Sequence, residues 1–205
     1  ALVYQFALSQ TCTITVTGDW DTRVCNETGL APVSGDLIVV PAGVTVTFTT
    51  NVPDPKHTGN FEISGKVEIN KNDVRIDGNI LVKTGGELEV NEKLRIGQDV
   101  SGCGKSLLVE AGGLLEFPGT GSDDKLFICG NEIARAGGGG CNPYPVGPIP
   151  YCEPIGGFTG PFGFDENGNN PGLPVILLHF DITNEEAEVT LRWATASEVD
   201  FIKFV

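Results

Sequence analysis

The sequence contains no methionine, two histidines (His57 and His179) and only 13 Lys and Arg against 27 Asp and Glu. Each shortage removes a class of function. At a net charge of −14, the surface repels phosphate backbones and anionic lipid, so nucleic acid is not an expected partner. No run of about 18 apolar residues occurs, so no transmembrane segment is expected. Neither histidine stands near two cysteines, and no Cys-x-x-Cys pair is present. A zinc site therefore has no support. No Gly-x-Ser-x-Gly elbow or Ser-His-Asp order is visible, which leaves nucleophilic catalysis without its parts. Without an initiator Met, the chain reads as a piece of a longer protein, cut at both ends.

What is present points to short strands. Gly (28) and Pro (13) are frequent, which suits many strands joined by turns rather than long helices. Val, Ile, Thr and Phe dominate the apolar stretches and favour pleated, half-buried surfaces. The six cysteines are Cys12, Cys25, Cys103, Cys129, Cys141 and Cys152. An even number without metal-site spacing fits disulfides in an oxidising compartment. Cys141 and Cys152 bracket a Pro-rich loop that a bridge would close. Cys12 with Cys25 and Cys103 with Cys129 are the expected remaining pairs, among the connectivities that six cysteines allow. The apolar start, residues 1–9, ends in small residues. It reads either as the tail of a signal peptide or as a first strand.

Residues 11–17 alternate strictly, as a half-buried strand does. Two further strands, Leu37–Val40 and Val44–Thr49, flank the turn Pro41-Ala42-Gly43. From residue 61 a unit recurs: short strand, turn ending in Gly, short strand. Its glycines fall at 65, 78, 86 and 113. A unit this small cannot bury its own apolar face, but stacking on its neighbours buries it. The expected fold is all-β: a short, irregular, right-handed β-solenoid over residues 11–130, with a meander or sandwich as the alternative. Residues 131–172 are rich in Gly and Pro and read as a loop or linker. Residues 173–205 regain strand pattern at Pro174–Phe180, Glu188–Trp193 and Phe201–Val205. They read as the first strands of an incomplete immunoglobulin-like sandwich.

Several motifs imitate functional sites. Ser101 to Ser106 resembles a phosphate-binding loop, but Asp99 stands where that loop needs Gly, and a strand follows instead of a helix. Asp165, Asn167 and Asn169 are the candidate calcium ligands in an oxygen-rich stretch, although the spacing lacks the Gly and Glu of a calcium loop. A plain turn is the competing reading there, and Asp123-Asp124 reads as an exposed turn. Charges alternate at Glu62, Lys66, Glu68, Lys71, Asp73, Arg75 and Asp77. They mark either a solvated strand face or, in a polysaccharide-active solenoid, an acid–base groove containing Asp73 and Asp77. Tyr144, Tyr151, Phe158, Phe162 and Phe164 cluster in the Gly/Pro stretch. They either stack on a ligand such as a sugar or cover the open end of the solenoid.

The C-terminal stretch carries Leu173-Pro174-Val175, Leu178, Phe180, Val189, Leu191, Trp193 and Thr195-Ala196-Ser197-Glu198. It resembles a recurrent module of extracellular Bacteroidetes proteins exported by the type IX secretion system. Ser34-Gly35-Asp36, the run Val-Pro-Ala-Gly-Val-Thr-Val at 40–46 and the Gly-Gly rungs are similar in outline to solenoid stretches of such proteins. The resemblance implies a fibronectin-type-III-like domain beginning near residue 173 and a secreted or outer-cell-surface location. The expected role is a non-catalytic, adhesin-like segment meeting surface glycans or other surface proteins. A polysaccharide-active enzyme and a carbohydrate-binding module are the alternatives.

Overall fold

The computed structural model describes residues 10–49, 57–119, 123–137, 139–169, 177–185 and 188–195. Its contacts divide the chain into two units, Ala1–Pro171 and Gly172–Val205.

The first unit is a three-faced β-solenoid. The first coil supplies β1 (Thr11–Thr13), β2 (Gly18–Asp19) and a 3-10 turn over Trp20–Thr22. The second supplies β3 (Leu37–Val40) and β4 (Thr45–Phe48). The third has β5 (Phe61–Ile63), β6 (Lys66–Ile69) and β7 (Val74–Ile76). The fourth has β8 (Ile80–Val82), β9 (Glu87–Val90) and β10 (Lys93–Ile96). The fifth has β11 (Leu107–Val109), β12 (Leu114–Glu116) and β13 (Lys125–Ile128). Strands of successive coils pair in parallel, one sheet to each face. Three-residue strands with alternating burial need a neighbour above and below, and stacking supplies both.

The alternation sends one ladder of side chains inward on each face. Ile38, Phe61, Ile80 and Leu107 align on the first face, and Val46, Val67, Leu88 and Leu115 on the second. All are fully buried. Aliphatic residues fill the middle coils, and aromatic residues gather towards the ends. Near the first coils Trp20 stacks on Phe48, with ring centroids 5.1 Å apart, beside Phe61.

Glycine serves two separate needs in the repeat. At Gly85 and Gly112 the backbone has φ of 77° and 79°, a left-handed corner that favours glycine. At Gly65, Gly78 and Gly86 the need is room. A Cβ on Gly78 would stand 1.9 Å from the Gly59 carbonyl oxygen, and one on Gly65 would stand 2.3 Å from those of Pro41 and Val44. The recurring glycines are thus places where one coil's backbone passes close to the next.

Residues 131–169 form the solenoid's cap, where composition suggests a linker. β14 (Asn131–Arg135) pairs antiparallel with β13. β15 (Asn142–Pro143) and β16 (Tyr151–Cys152) extend that sheet. β17 (Phe158–Thr159) pairs antiparallel with β12, and β18 (Phe162–Phe164) with β11. Each face of the last coil therefore ends on a reversed strand, which occupies the edge that a further coil would use.

The disulfides pair Cys12 with Cys25, Cys103 with Cys129 and Cys141 with Cys152, the pairs expected from sequence. No helix among the described residues is long and apolar enough to cross a membrane. The second unit contains an antiparallel pair, β19 (Leu177–Glu185) and β20 (Glu188–Thr195). The strand expected at Phe201–Val205 lies outside the described residues.

Candidate functional site

The strongest concentration of chemistry lies on the second face. Outward positions of β4, β6, β9 and β12 align in two rows: Thr47, Glu68, Glu89 and Glu116, and beside it Thr45, Lys66, Glu87 and Leu114. Parallel in-register stacking brings like residues about 4.8 Å apart. Carboxylate oxygens of Glu87, Glu89 and Glu116 accordingly come within 4.8 Å of one another.

Lys66 neutralises much of this charge. Its Nζ lies 3.2 Å from Glu68 Oε1 and 3.0 Å from Glu87 Oε1, and it also pairs with Glu89. Burial pulls the Lys66 ammonium down, but hydrogen bonds to Glu89, Glu87 and Glu68 outweigh it and raise its pKa. Burial pushes Glu89 up, yet its bonds from Lys66 and Asn91 hold it below the usual carboxylate range. Glu89 is thereby a poor proton donor and Lys66 a poor proton acceptor near neutral pH. Acid–base catalysis asks for the opposite, a carboxyl raised or an amine lowered towards neutrality. Chemically this row is an ion-pair network.

The third face repeats the arrangement. Arg75 pairs with Asp99 at 2.5 Å, and Arg95 with Asp73 and with Asp99 at 3.2 Å. Arg95 also lies over the Phe127 ring, 4.7 Å from its centroid. Burial raises the Asp73 carboxyl, but the hydrogen bond and charge of Arg95 outweigh it and lower its pKa. Asp77 accepts from Gln98 Nε2 at 3.0 Å. Both carboxylates of the expected acid–base groove are thus engaged in coil-to-coil bonds.

The candidate ligand residues are placed differently from a binding surface. Tyr151, Phe158, Phe162 and Phe164 are buried, and Tyr144 is half-buried among them. Tyr144 meets Tyr151, Phe158, Phe162 and Phe164 edge-on, with centroids 5.3 to 5.9 Å apart. Rings packed on one another over the last coil have little face left for a sugar. They are the cap's core.

At Asp165, Asn167 and Asn169 the sequence offers a calcium ligand set or a plain turn, and the Asp165 side chain bonds the loop's own backbone. Asp165 Oδ1 accepts the N–H groups of Asn167 at 2.8 Å and Asn169 at 2.9 Å. These are the side-chain-to-backbone bonds of a closed turn. This turn and the phosphate-loop imitation line one open cavity of about 300 Å³, with Gly102, Lys105, Ser106, Asp165 and Glu166 on its walls. The Gly102 N–H already donates to Glu166 Oε2 at 2.6 Å, and Cys103 is bridged to Cys129. The loop leads into β11, so no helix N-terminus faces a phosphate. Among the described residues one further group has metal-site spacing, Cys12, Cys25 and Asp36, but a disulfide removes both thiolates.

Two residues escape the sequence reading. Asp124, expected in an exposed turn, is buried because β14 lies across it. His57 is 2% exposed, its Nε2 donating to the Asp36 carbonyl at 2.7 Å beside Trp20 and Phe61. Burial holds the His57 pKa below the ordinary histidine value, against smaller opposing effects of Asp36. The unfolded chain therefore binds the proton more readily. This contribution to stability is complete above the unfolded histidine pKa, about 6.5, and is lost as pH falls through the lower folded value. Urea unfolding between pH 7.5 and 5 is expected to show a stability slope up to one proton steeper in the native sequence than in His57→Gln. Equal slopes would contradict the assignment. The other histidine, His179, lies in β19.

Comparison with known proteins gives no matching family model, no matching curated protein and no matching solved structure.

Proposed function

We propose that the chain is a non-catalytic structural segment of a secreted or cell-surface protein, an adhesin-like scaffold. The observation that carries the reading is the engagement of the outward charges. Lys66, Lys83, Arg75 and Arg95 all bond carboxylates of neighbouring coils, Lys83 meeting Glu62 at 2.8 Å. The groups a solenoid enzyme would use for proton transfer bind one coil to the next. Three disulfides suit an oxidising, extracellular setting. The finer assignment, a Bacteroidetes protein exported by the type IX route with a fibronectin-type-III-like module from residue 173, rests on the sequence resemblance. Other surface proteins would then be its partners.

The test is to incubate the 205-residue chain with neutral and acidic polysaccharides and follow reducing-end release, alongside a glycan-binding screen. Neither turnover nor saturable binding is expected. Turnover abolished in Glu89→Gln or Asp73→Asn would replace the proposal with the enzyme reading. Saturable glycan binding without turnover would replace it with a binding module.

A further inference from the structure

The corner between β12 and β13 holds charges that the ion-pair networks leave out. Asp124 is 5% exposed, and its Oδ2 is buried with no hydrogen-bond partner. A carboxylate taken from water is costly unless paired, protonated or bound to metal.

Strand register places a second carboxyl in the same row, with one strand between. The Ala136 N–H donates to the Asp124 carbonyl at 3.1 Å, and the Glu153 N–H donates to the Arg135 carbonyl at 2.9 Å. Continuing the pairing of β13 with β14 and of β14 with β16 sets Asp124, Ala136 and Glu153 in one row. The three share the inward side, and the small Ala136 side chain fills little of the space between the acids.

Both acids also approach the corner Phe117-Pro118-Gly119. Glu153 Oε1 accepts the Phe117 N–H at 2.7 Å. Asp124 Oδ2 lies so close to Gly119 that a Cβ there would stand 1.7 Å from it. Burial raises both carboxyls. Glu92 and Asp123 add to Asp124, and Glu116 and Asp124 add to Glu153. Among the described residues, none of these five acids takes part in an ion pair. A buried carboxylate oxygen without a partner, among acidic neighbours, is a group that a cation would satisfy.

We propose that Asp124 and Glu153 bind one divalent cation of the calcium class and so tie the cap to the last coil. The protein donors are carboxylate oxygens alone, which a hard cation prefers, and calcium tolerates irregular coordination better than magnesium does. Backbone or water oxygens would complete the shell. Two carboxylates imply weak binding, in the millimolar range usual for extracellular calcium modules. The Glu87, Glu89 and Glu116 group is a separate case, because Lys66 already occupies two of its members.

The experiment is thermal melting of the full chain in chelator and in calcium chloride, with sodium chloride at matched ionic strength. Calcium at about ten times its dissociation constant is expected to raise the native Tm by a few degrees. Asp124→Asn should lose that rise, yet melt at or above the native chain in chelator, since a buried charge is gone. Glu153→Gln should also lose the rise, and it carries the same test if Asp124→Asn does not fold. Glu87→Gln should keep it. The proposal is overturned if the native chain shows no calcium shift, if the foldable corner variant retains it, or if Glu87→Gln abolishes it.

Discussion

Replacing Phe164 with alanine is expected to destabilise the protein by about 3–5 kcal/mol, the usual cost of deleting a fully buried phenylalanine. Phe164 pairs in register with Leu107 of the last coil and is fully buried. Its ring meets Tyr144, Tyr151, Phe158 and Phe162, with centroids 5.1 to 5.8 Å apart. The substitution opens a cavity where the cap covers the aliphatic ladders. Loosening the cap also frees the edges of β11 and β12, which are templates for pairing with another chain. Urea denaturation should show the loss in stability, and size-exclusion chromatography should show larger species. Ile155→Ala, at a fully exposed position of the same segment, should stay within about 0.5 kcal/mol. If the two variants behave alike, the cap is not part of the cooperative unit.

Removing the Cys103–Cys129 bridge by paired serine substitution should cost about 3.5 kcal/mol on the loop-closure account. The bridge joins residues 26 positions apart. It fastens the long excursion between β10 and β11 to the end of β13. The Cys141–Cys152 bridge spans 11 positions inside the cap, and its loss should cost about 2.8 kcal/mol by the same relation. Tm comparison under non-reducing conditions measures both. A bridge loss without effect would mean that the excursion is held by its other bonds, among them the Gly102 N–H to Glu166.

Much of the solenoid is legible in the sequence because its unit is local. Alternating β-branched residues beside Pro41-Ala42-Gly43 place β3 and β4 almost to the residue. The cysteine pairs are also legible, since the six cysteines pair in consecutive order along the chain. The cap is not. Its strands are two to five residues long, too short for a period, and their Gly- and Pro-rich setting has the composition of a linker. Only contact with the last coil gives Phe158 and Phe162 their role.

The ion-pair networks are hidden for another reason. Bonded partners on adjacent coils are 19 positions apart at Asn60 and Asn79, 21 at Asn70 and Asn91, and 27 at Asn79 and Ser106. No fixed period exposes that Lys66 will face Glu87 and Glu89. Asp124 looks like a turn residue because nothing nearby in sequence announces the antiparallel strand that covers it. Its burial is a property of the assembled sheet.

The parallel stacking also sets how far this unit can extend anything attached to it. Each added coil advances the structure by one interstrand spacing, about 4.8 Å. The run from β1 to β11 on the first face takes four such steps, or roughly 19 Å, and consumes about a hundred residues. An extended chain of that length would span over ten times as much. Length per residue is therefore what this architecture gives up. It gains breadth in return, with flat faces whose spacing is fixed by hydrogen bonds. The unit is thereby suited to hold groups at fixed spacings across its faces and poorly suited to carry them over distance.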